Sequence, residues 1–385
     1  MIKIQGLVEL ASYPYKCMQR ACCPRTLSLR RLLLGQRKKY SRPVFPLPEM
    51  AGVLYYDEEA MHSSSNRIQP FASTPRINVQ GEKQGEQEKF SNLTTSQLIC
   101  KRLGLPDLIN LQVWRASVGE LIGTAVLVFA LGTITISSYG SGVKEPNLLA
   151  ALLVFLAVTV ILLAVSPISG GHINPAITLS AALIGLISPG HAAIYMAAQC
   201  TGGILGALAL KAVVSEAVQA IFSLGGCTIS VIAPGREGVP IRLGVETETA
   251  FWLELFCTFI LLFASIWMAF DIKQARALGR QQVCAAIGLV VGLMAFVSST
   301  VTGHKGYAGA GMNPARCLGP AVVRGGHLWE DHWVFWVGPM AASCAFYFYT
   351  KLVPADHFHG SHEFKYDFLK TVKLVTLSAL GGKGN

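Results

Sequence analysis

Charge is scarce in this chain of 385 residues, where Asp, Glu, Lys and Arg together make up 14% of the sequence. Apolar residues account for 52%, and the mean hydropathy is +0.45. A soluble domain needs more polar side chains than this to cover its surface. The chain also lacks a nucleophile, metal or cofactor motif in a plausible site, so the sequence predicts neither an enzyme nor a cofactor. The composition favours a membrane protein.

Acidic residues are the scarcer charge, at 22 against 32 Lys and Arg, which gives a formal net charge of +10. Most of this excess lies in residues 1–48, which hold ten basic residues and only Glu9 as an acid. The charge therefore does not indicate a nucleic-acid partner. The basic segment is typical of a contact with anionic lipid, of a targeting segment, or of an upstream extension before a start at Met50. Residues 50–100 are polar and aperiodic, which predicts disorder.

Six apolar runs are each long enough to cross a bilayer, which takes about 20 residues. They cover approximately 115–138, 147–166, 191–213, 249–270, 282–303 and 332–352. We therefore predict an all-α membrane domain over 106–353, between a polar tail at 1–105 and a second tail at 354–385. With six spans both tails lie on one side, together with the basic 271–280 loop. Positive residues gather on the cytoplasmic side, so we expect cytoplasmic termini.

An internal repeat divides the membrane domain into two halves, about 114–213 and 249–353. The stretches around Glu120 (ELIGT) and Glu254 (ELFCT) align, and each half contains one Asn-Pro-Ala box. Because each half has three spans, the second half enters the membrane in the opposite sense, which makes an inverted repeat. The boxes are Asn174, Pro175 and Ala176 in the first half, and Asn313, Pro314 and Ala315 in the second.

Each box predicts the start of a short helix, because Asn is a good cap and Pro is favoured at the first helical position. The segments 174–187 and 313–323 are too short to span a bilayer. Re-entrant backbone of this kind is tolerated only where it lines water or is buried in protein. The two boxes therefore predict two half-helices that meet at the midplane beside an aqueous path.

These boxes, the two glutamate-containing helix starts and Arg316 in NPAR resemble the aquaporin, or major intrinsic protein, family over residues 114–353. Within that family, NPARC with Cys317 and LGGC with Cys227 are similar to the plant X intrinsic proteins. The first box of that group often departs from Asn-Pro-Ala, whereas this chain keeps it. The resemblance implies six transmembrane helices with two half-helices, a homotetramer with one pore per subunit, and a place in the lipid bilayer, where we expect the plasma membrane.

The resemblance also implies roles for single residues. Asn174 and Asn313 would donate amide N–H groups to a solute in the pore, which breaks a continuous proton wire. Arg316 would be the arginine of the outer selectivity filter. Counting along the sequence gives the other three filter positions, which are Val154, Ala310 and Ala295. Met294 and Phe296 stay open as alternatives to Ala295.

Several other polar residues have a structural and a functional interpretation. In the family, glutamates at the positions of Glu120 and Glu254 accept hydrogen bonds from the re-entrant loops, and we prefer this role to a proton relay. We likewise expect His172 to brace its loop rather than to gate by pH. Cys227 is predicted outside the membrane as an unpaired thiol that links subunits or binds a metal, and Cys317 as a mercurial-sensitive residue. The histidines at 356–362 match no defined metal site.

The predicted filter lacks the aromatic residue and the histidine that narrow a strict water pore. The sequence therefore predicts passive diffusion of glycerol, urea, boric acid or hydrogen peroxide, with lower water permeability and with exclusion of protons and ions. The alternatives are a predominantly water-conducting aquaporin and an ion-coupled secondary transporter. A junctional membrane protein without conduction is a third alternative, which leaves Arg316 unexplained.

Overall fold

The computed structural model describes residues 94–234, 239–353, 371–373 and 376. Its helices up to residue 353 are α1 Thr95–Leu103, α2 Leu111–Gly140, α3 Pro146–Ser169, α4 Pro175–Leu183, α5 Pro189–Val213, α6 Glu216–Phe222, α7 Thr247–Phe270, α8 Ile272–Thr300, α9 Pro314–Arg324 and α10 Val334–Leu352. The predicted spans correspond to α2, α3, α5, α7, α8 and α10, and the predicted half-helices to α4 and α9. This confirms the predicted fold class.

Five of these helices, α2, α3, α5, α7 and α8, are long and apolar enough to cross a membrane. Helix α10 is shorter, at 19 residues, and contains Pro339, Lys351 and several aromatic side chains. These residues make it less apolar than the others. Helix α8 is broken at Gly279, whose φ is 75°, so its continuous apolar part begins near the predicted residue 282.

Helix α1 corrects the expectation of disorder up to residue 100. It begins with a capping box, in which the Thr94 N–H donates to Gln97 Oε1 (3.0 Å) and the Gln97 N–H donates to Thr94 Oγ1 (3.4 Å). This pair satisfies two backbone donors at the start of the helix. Because α1 buries no apolar face, hydrophobic periodicity does not reveal it. The remainder of the predicted tails lies almost entirely outside the described residues.

Helices α2 and α5 approach each other closely at two glycines. A Cβ atom on Gly202 would lie 2.2 Å from the carbonyl oxygen of Leu121, and one on Gly206 would lie 2.2 Å from that of Ala125. The two glycines are four residues apart, a spacing that lets two helices pack closely. Helices α3 and α8 approach each other in the same way, with Gly292 of α8 against the Ala151 carbonyl of α3.

The described residues of the long connection between α5 and α7 form regular elements, which the sequence does not predict. It contains α6, a turn of 3₁₀-helix at Ser223–Gly225, and an antiparallel hairpin of β1 Ser230–Pro234 and β2 Pro240–Gly244. Between these elements, Thr228 pairs with the re-entrant loop of the second half: its carbonyl accepts from the Ala308 N–H (3.0 Å), and its hydroxyl donates to the Gly306 carbonyl (3.1 Å). The connection therefore packs against the start of the second box.

Candidate functional site

The tips of the two half-helices meet through reciprocal hydrogen bonds. Asn174 Nδ2 donates to the Met312 carbonyl (2.9 Å), and Asn313 Nδ2 donates to the Ile173 carbonyl (2.8 Å). Each asparagine thus contacts the residue that precedes the other one. Since both side chains are buried, this pair of bonds joins the two halves of the repeat in the protein interior.

The same asparagines cap their own helices. Asn174 Oδ1 accepts from the Ala176 N–H (2.8 Å), and Asn313 Oδ1 accepts from the N–H groups of Ala315 (3.1 Å) and Arg316 (3.3 Å). Because each oxygen is held by the cap, each amide nitrogen points away from its helix. That nitrogen carries two hydrogens, of which one reaches the opposite carbonyl. The two asparagines border the cavity described below.

Ile173 and Met312, the residues before the two asparagines, have left-handed backbones, with φ of 41° and 53°. A non-glycine residue in this region is disfavoured by about 1–2 kcal/mol. A buried carboxylate offsets this cost in each half. The Ile173 N–H donates to Glu120 Oε2 (2.5 Å), and the Met312 N–H donates to Glu254 Oε2 (2.8 Å).

Both carboxylates also hold further groups of the loops. Glu120 accepts from the His172 N–H (3.0 Å), Ser169 Oγ (2.5 Å) and Gln199 Nε2 (2.8 Å), and Glu254 accepts from the Gly311 N–H. His172 is itself buried in the loop, with Nδ1 3.1 Å from Thr178 Oγ1. Glu120, Glu254 and His172 therefore lie where they can brace the two re-entrant loops.

A cavity of about 60 Å³ lies beside the asparagine pair. Cavities need about 10–15 Å³ to hold one water, so this one has room for a few waters or one small solute. Its polar lining comes from His172, Asn174, Asn313 and Arg316, with backbone from Gly311. The rest of the wall is apolar and consists of Leu127, Leu131, Val158, Leu162, Ile173, Ile177, Leu261, Ile287, Val291 and Met312.

Arg316 is the one predicted filter residue that borders this cavity. Its guanidinium donates through Nη2 to the Gly225 carbonyl (3.4 Å) and through Nη1 to the sulfur of Cys227. Val154 and Ala310 are buried in the apolar cluster that also contains the cavity residues Val158 and Met312. Ala295 is half-buried on α8. The structure does not place these last three against the cavity, so their role as a filter stays a prediction.

The interpretation of Cys227 and Cys317 as separate thiols is wrong, because the two residues form a disulfide. Their Cα atoms are 5.2 Å apart, although 90 residues separate them in the sequence. The fold brings Cys227 down from the α5–α7 connection onto the first turn of α9. Pairing leaves Cys227 no thiol for another subunit or a metal, and it leaves Cys317 no thiol for a mercurial. The cysteines predicted within the spans, Cys200, Cys257, Cys284 and Cys344, are free.

Comparisons with known proteins agree with this geometry. The family model described as Major intrinsic protein matches residues 107–349. Bovine aquaporin-4 is 33% identical over a stretch that covers 59% of this chain and 63% of that relative. Aquaporin TIP1-2 of Zea mays is 35% identical over a stretch that covers 60% of this chain and 82% of that relative. Among solved structures, the aquaglyceroporin from Plasmodium falciparum matches with a TM-score of 0.48 and 21% identity, over 63% of this chain and 96% of that one.

The family model covers the whole membrane domain from just before α2 to the last turns of α10. The similarity to the plant X intrinsic proteins stays a prediction. Membrane-spanning helices in this arrangement make the chain an integral multi-pass membrane protein. With a model match over more than half of its length and relatives at this level of identity, the chain belongs to the major intrinsic protein family, which includes the aquaporins.

Proposed function

We propose that this protein is a channel for the passive diffusion of small uncharged solutes such as glycerol, urea, boric acid and hydrogen peroxide, with lower permeability to water. The observation that carries the proposal is the composition of the cavity wall. Ten of its fifteen lining residues are apolar, and the polar groups are grouped around the two asparagines and Arg316. Ligand sites of this kind use apolar surface for contact and a few placed donors for orientation.

A polyol fits both parts of such a wall. Its carbon faces contact Leu, Ile and Val side chains, while its hydroxyl oxygens accept from Asn174, Asn313 and Arg316. Water has no apolar face, so it loses hydrogen bonds along the same wall without compensation. Cations meet the guanidinium and the N-termini of α4 and α9, which carry partial positive charge and point toward each other. This arrangement supports the exclusion of protons and cations.

We propose Val154, Ala295, Ala310 and Arg316 as the selectivity filter, and Glu120, Glu254 and His172 as residues that hold the re-entrant loops. Three of the filter side chains are small and apolar. A filter of this composition has room for a carbon skeleton and offers one cationic donor for orientation.

An ion-coupled transporter is disfavoured by the state of the buried acids. Coupling ions need oxygen ligands near the midplane that are free to coordinate them, and buried carboxylates are the strongest such ligands. Glu120 accepts four hydrogen bonds and Glu254 accepts two, all from the loops or from neighbouring side chains. A predominantly water-conducting channel is the stronger alternative, because the curated relatives are named aquaporins.

We also propose cytoplasmic termini, a place in the plasma membrane and a homotetramer. The disulfide supports the orientation. Disulfides persist in oxidising compartments, and the α5–α7 connection that carries Cys227 lies on the side opposite the termini when six spans are counted. The basic segment 271–280, which the structure places at the start of α8 up to the break at Gly279, lies on the side of the termini, which agrees with the excess of positive residues on cytoplasmic surfaces.

The proposal is tested by stopped-flow measurements on liposomes that contain the purified protein. We expect glycerol entry well above that of empty liposomes and a glycerol-to-water permeability ratio that falls in the Ala295→His variant, because the imidazole narrows the filter and adds a donor. Ala295→Leu is the matched control that narrows without adding a donor. Fast water flux with no solute uptake by the wild type would contradict the proposal and favour the water channel.

A further inference from the structure

We infer that the Cys227–Cys317 disulfide positions Arg316, and that it thereby sets how large a solute passes the filter. The inference rests on the proposed function, because it concerns the same pathway. The disulfide joins the α5–α7 connection to α9 directly beside Arg316. Without this tether, the segment that carries the Gly225 carbonyl and Cys227 is held against α9 by noncovalent contacts alone.

Two of the three acceptors that orient the guanidinium come from that connection, and the third is Cys317 Sγ of α9, 3.9 Å from Nη1. The Gly225 carbonyl accepts from Nη2 (3.4 Å), and the sulfur of Cys227 accepts from Nη1. The two acceptors are only two residues apart, so a shift of this short segment moves both of them together. The covalent bond from Cys227 to the neighbour of Arg316 therefore holds donor and acceptors in one rigid group.

The segment that carries these acceptors has an unfavourable backbone conformation. Ser223, Leu224 and Gly225 have consecutive positive φ values of 52°, 52° and 64°. Residues with side chains rarely adopt this region, and two of them in succession persist only where the surroundings hold them. The anchors in the structure are the fully buried Leu224 side chain, a 2.8 Å hydrogen bond between Ser223 Oγ and His327 Nε2, and the disulfide.

The disulfide is also fitted against the re-entrant loop. A Cβ atom on Gly311 would lie 2.3 Å from Cys317 Sγ and 3.0 Å from Cys227 Sγ, so only glycine leaves room for the sulfurs. The N–H of Gly311 is held in turn by Glu254. The bridge is thus packed between the loop before the second box and the guanidinium. Both sulfurs are almost fully buried, with Cys227 2% and Cys317 1% exposed, so substitution is a better test than a reducing agent.

The test compares the permeability of liposomes to erythritol, with four carbons, and to glycerol, with three. In Cys227→Ser, Cys317→Ser and the double variant, Arg316 loses its fixed orientation and the filter becomes less selective for size. We expect the erythritol-to-glycerol ratio to rise at least about threefold, the scale of weakening one hydrogen bond. The two single variants and the double variant should agree, because each of them removes the same bond. Cys257→Ser, at a buried free cysteine, is the matched control and should keep the wild-type ratio.

Serine and alanine at position 227 separate the tether from the hydrogen-bond acceptor. Cys227→Ser keeps an acceptor for Arg316 without the covalent bond, whereas Cys227→Ala removes both. If positioning depends on the tether, both variants raise the ratio. A wild-type ratio in Cys227→Ser with a raised ratio in Cys227→Ala would assign the effect to the acceptor alone and overturn the inference. An unchanged ratio in all the variants would also overturn it.

Hydrogen exchange in detergent tests the tether without any transport. We expect the backbone amides of Leu224–Cys227 to exchange at least about tenfold faster in Cys227→Ser than in the wild type and in Cys257→Ser. Equal exchange would overturn the inference. If the wild type admits no glycerol but this exchange difference is present, the proposed function fails while the tether stands. Peptide mapping of the wild type without reduction should recover the Cys227 and Cys317 peptides as one cross-linked species, and two separate peptides would overturn the inference.

Discussion

The two Asn-Pro-Ala regions have the same backbone plan but are held in place by different means. In both, a left-handed residue precedes the asparagine and a buried glutamate accepts its N–H. The first region adds a dense hydrogen-bond network around Glu120, with Ser169, His172 and Gln199. The second region has fewer hydrogen bonds at Glu254 and instead has a disulfide.

This difference follows the position of Arg316. The first half-helix has Ile177 at the position that Arg316 occupies in the second, so the first region needs only to hold its loop. The second region must also hold a charged side chain beside the cavity. Hydrogen bonds from a neighbouring segment orient the guanidinium, and a covalent bond fixes that segment. The first half is therefore held mainly by hydrogen bonds, whereas the second half, which carries the filter arginine that we propose, is held by a disulfide as well.

Removal of the glutamates should produce the largest effects and should separate the two regions. Glu120→Ala leaves four donors without an acceptor and Glu254→Ala leaves two, and each buried donor without a partner costs about 1–3 kcal/mol. We expect the free energy of unfolding to fall by about 4 kcal/mol or more for Glu120→Ala and by a smaller amount, about 2 kcal/mol or more, for Glu254→Ala. Denaturant titration of the protein in detergent measures both.

The matched control for this pair is Glu248→Ala, which removes an exposed acid from the first turn of α7. An exposed substitution of this kind should change the unfolding free energy by no more than about 0.5 kcal/mol. Equal losses for Glu120→Ala and Glu254→Ala would contradict the view that the first region depends more on hydrogen bonds.

The contacts behind the half-helices provide a second, smaller test. The Ala176 carbonyl of α4 accepts from Ser343 Oγ (3.0 Å), whereas the Ala315 carbonyl of α9 faces Gly203, where a Cβ would lie only 2.3 Å away. We expect Gly203→Ala to destabilise by about 1–3 kcal/mol through overpacking, and Ser343→Ala by about 1 kcal/mol through the lost hydrogen bond. The same denaturant titration measures these losses.

Gly140→Ala is the control for the glycine substitution, because the nearest atom to its added Cβ is the edge of the Phe222 ring at 3.7 Å. It should leave stability nearly unchanged or improve it slightly, since alanine is the better helix former. A loss for Gly140→Ala as large as that for Gly203→Ala would show that helix propensity, and not the contact with α9, decides the result.

The features of the fold that repeat in the sequence could be predicted from it. The two boxes, the aligned glutamates and the odd number of spans in each half indicate the inverted repeat without reference to coordinates. Asn and Pro at helix starts indicate the half-helices, because their backbone preferences are local.

Features that depend on distant parts of the chain could not be predicted. Cys227 and Cys317 are separated by 90 residues, and only the folded α5–α7 connection brings them together. The left-handed Ile173 and Met312 are not glycine, so no residue type marks them. The acceptors of Arg316 are a backbone carbonyl and the two sulfurs of the disulfide, and no side-chain motif reveals them.

The smallest expected effect concerns the far end of the second half-helix, where the α5–α7 connection is attached through His327. Arg324 is always a donor, so its 3.3 Å contact with His327 Nδ1 makes that nitrogen the acceptor, and Nε2–H then donates to Ser223 Oγ.

Burial, followed by the charge of Arg324, lowers the pKa of His327 below its usual value, against a smaller opposing effect of Glu330. The unfolded chain therefore binds this proton more readily than the folded protein does, and the contribution of His327 to stability is present above about pH 6.5 and is lost as the pH falls below it. Melting temperatures measured between about pH 7.5 and 5.5 should fall less steeply in His327→Gln than in the wild type, whereas His304→Gln, at an exposed histidine, should keep the wild-type slope. The first half-helix ends at Leu183, where backbone hydrogen bonds close its last turn. Identical slopes in the wild type and in His327→Gln would contradict the prediction. The end of the second half-helix would then be no more sensitive to pH than the end of the first.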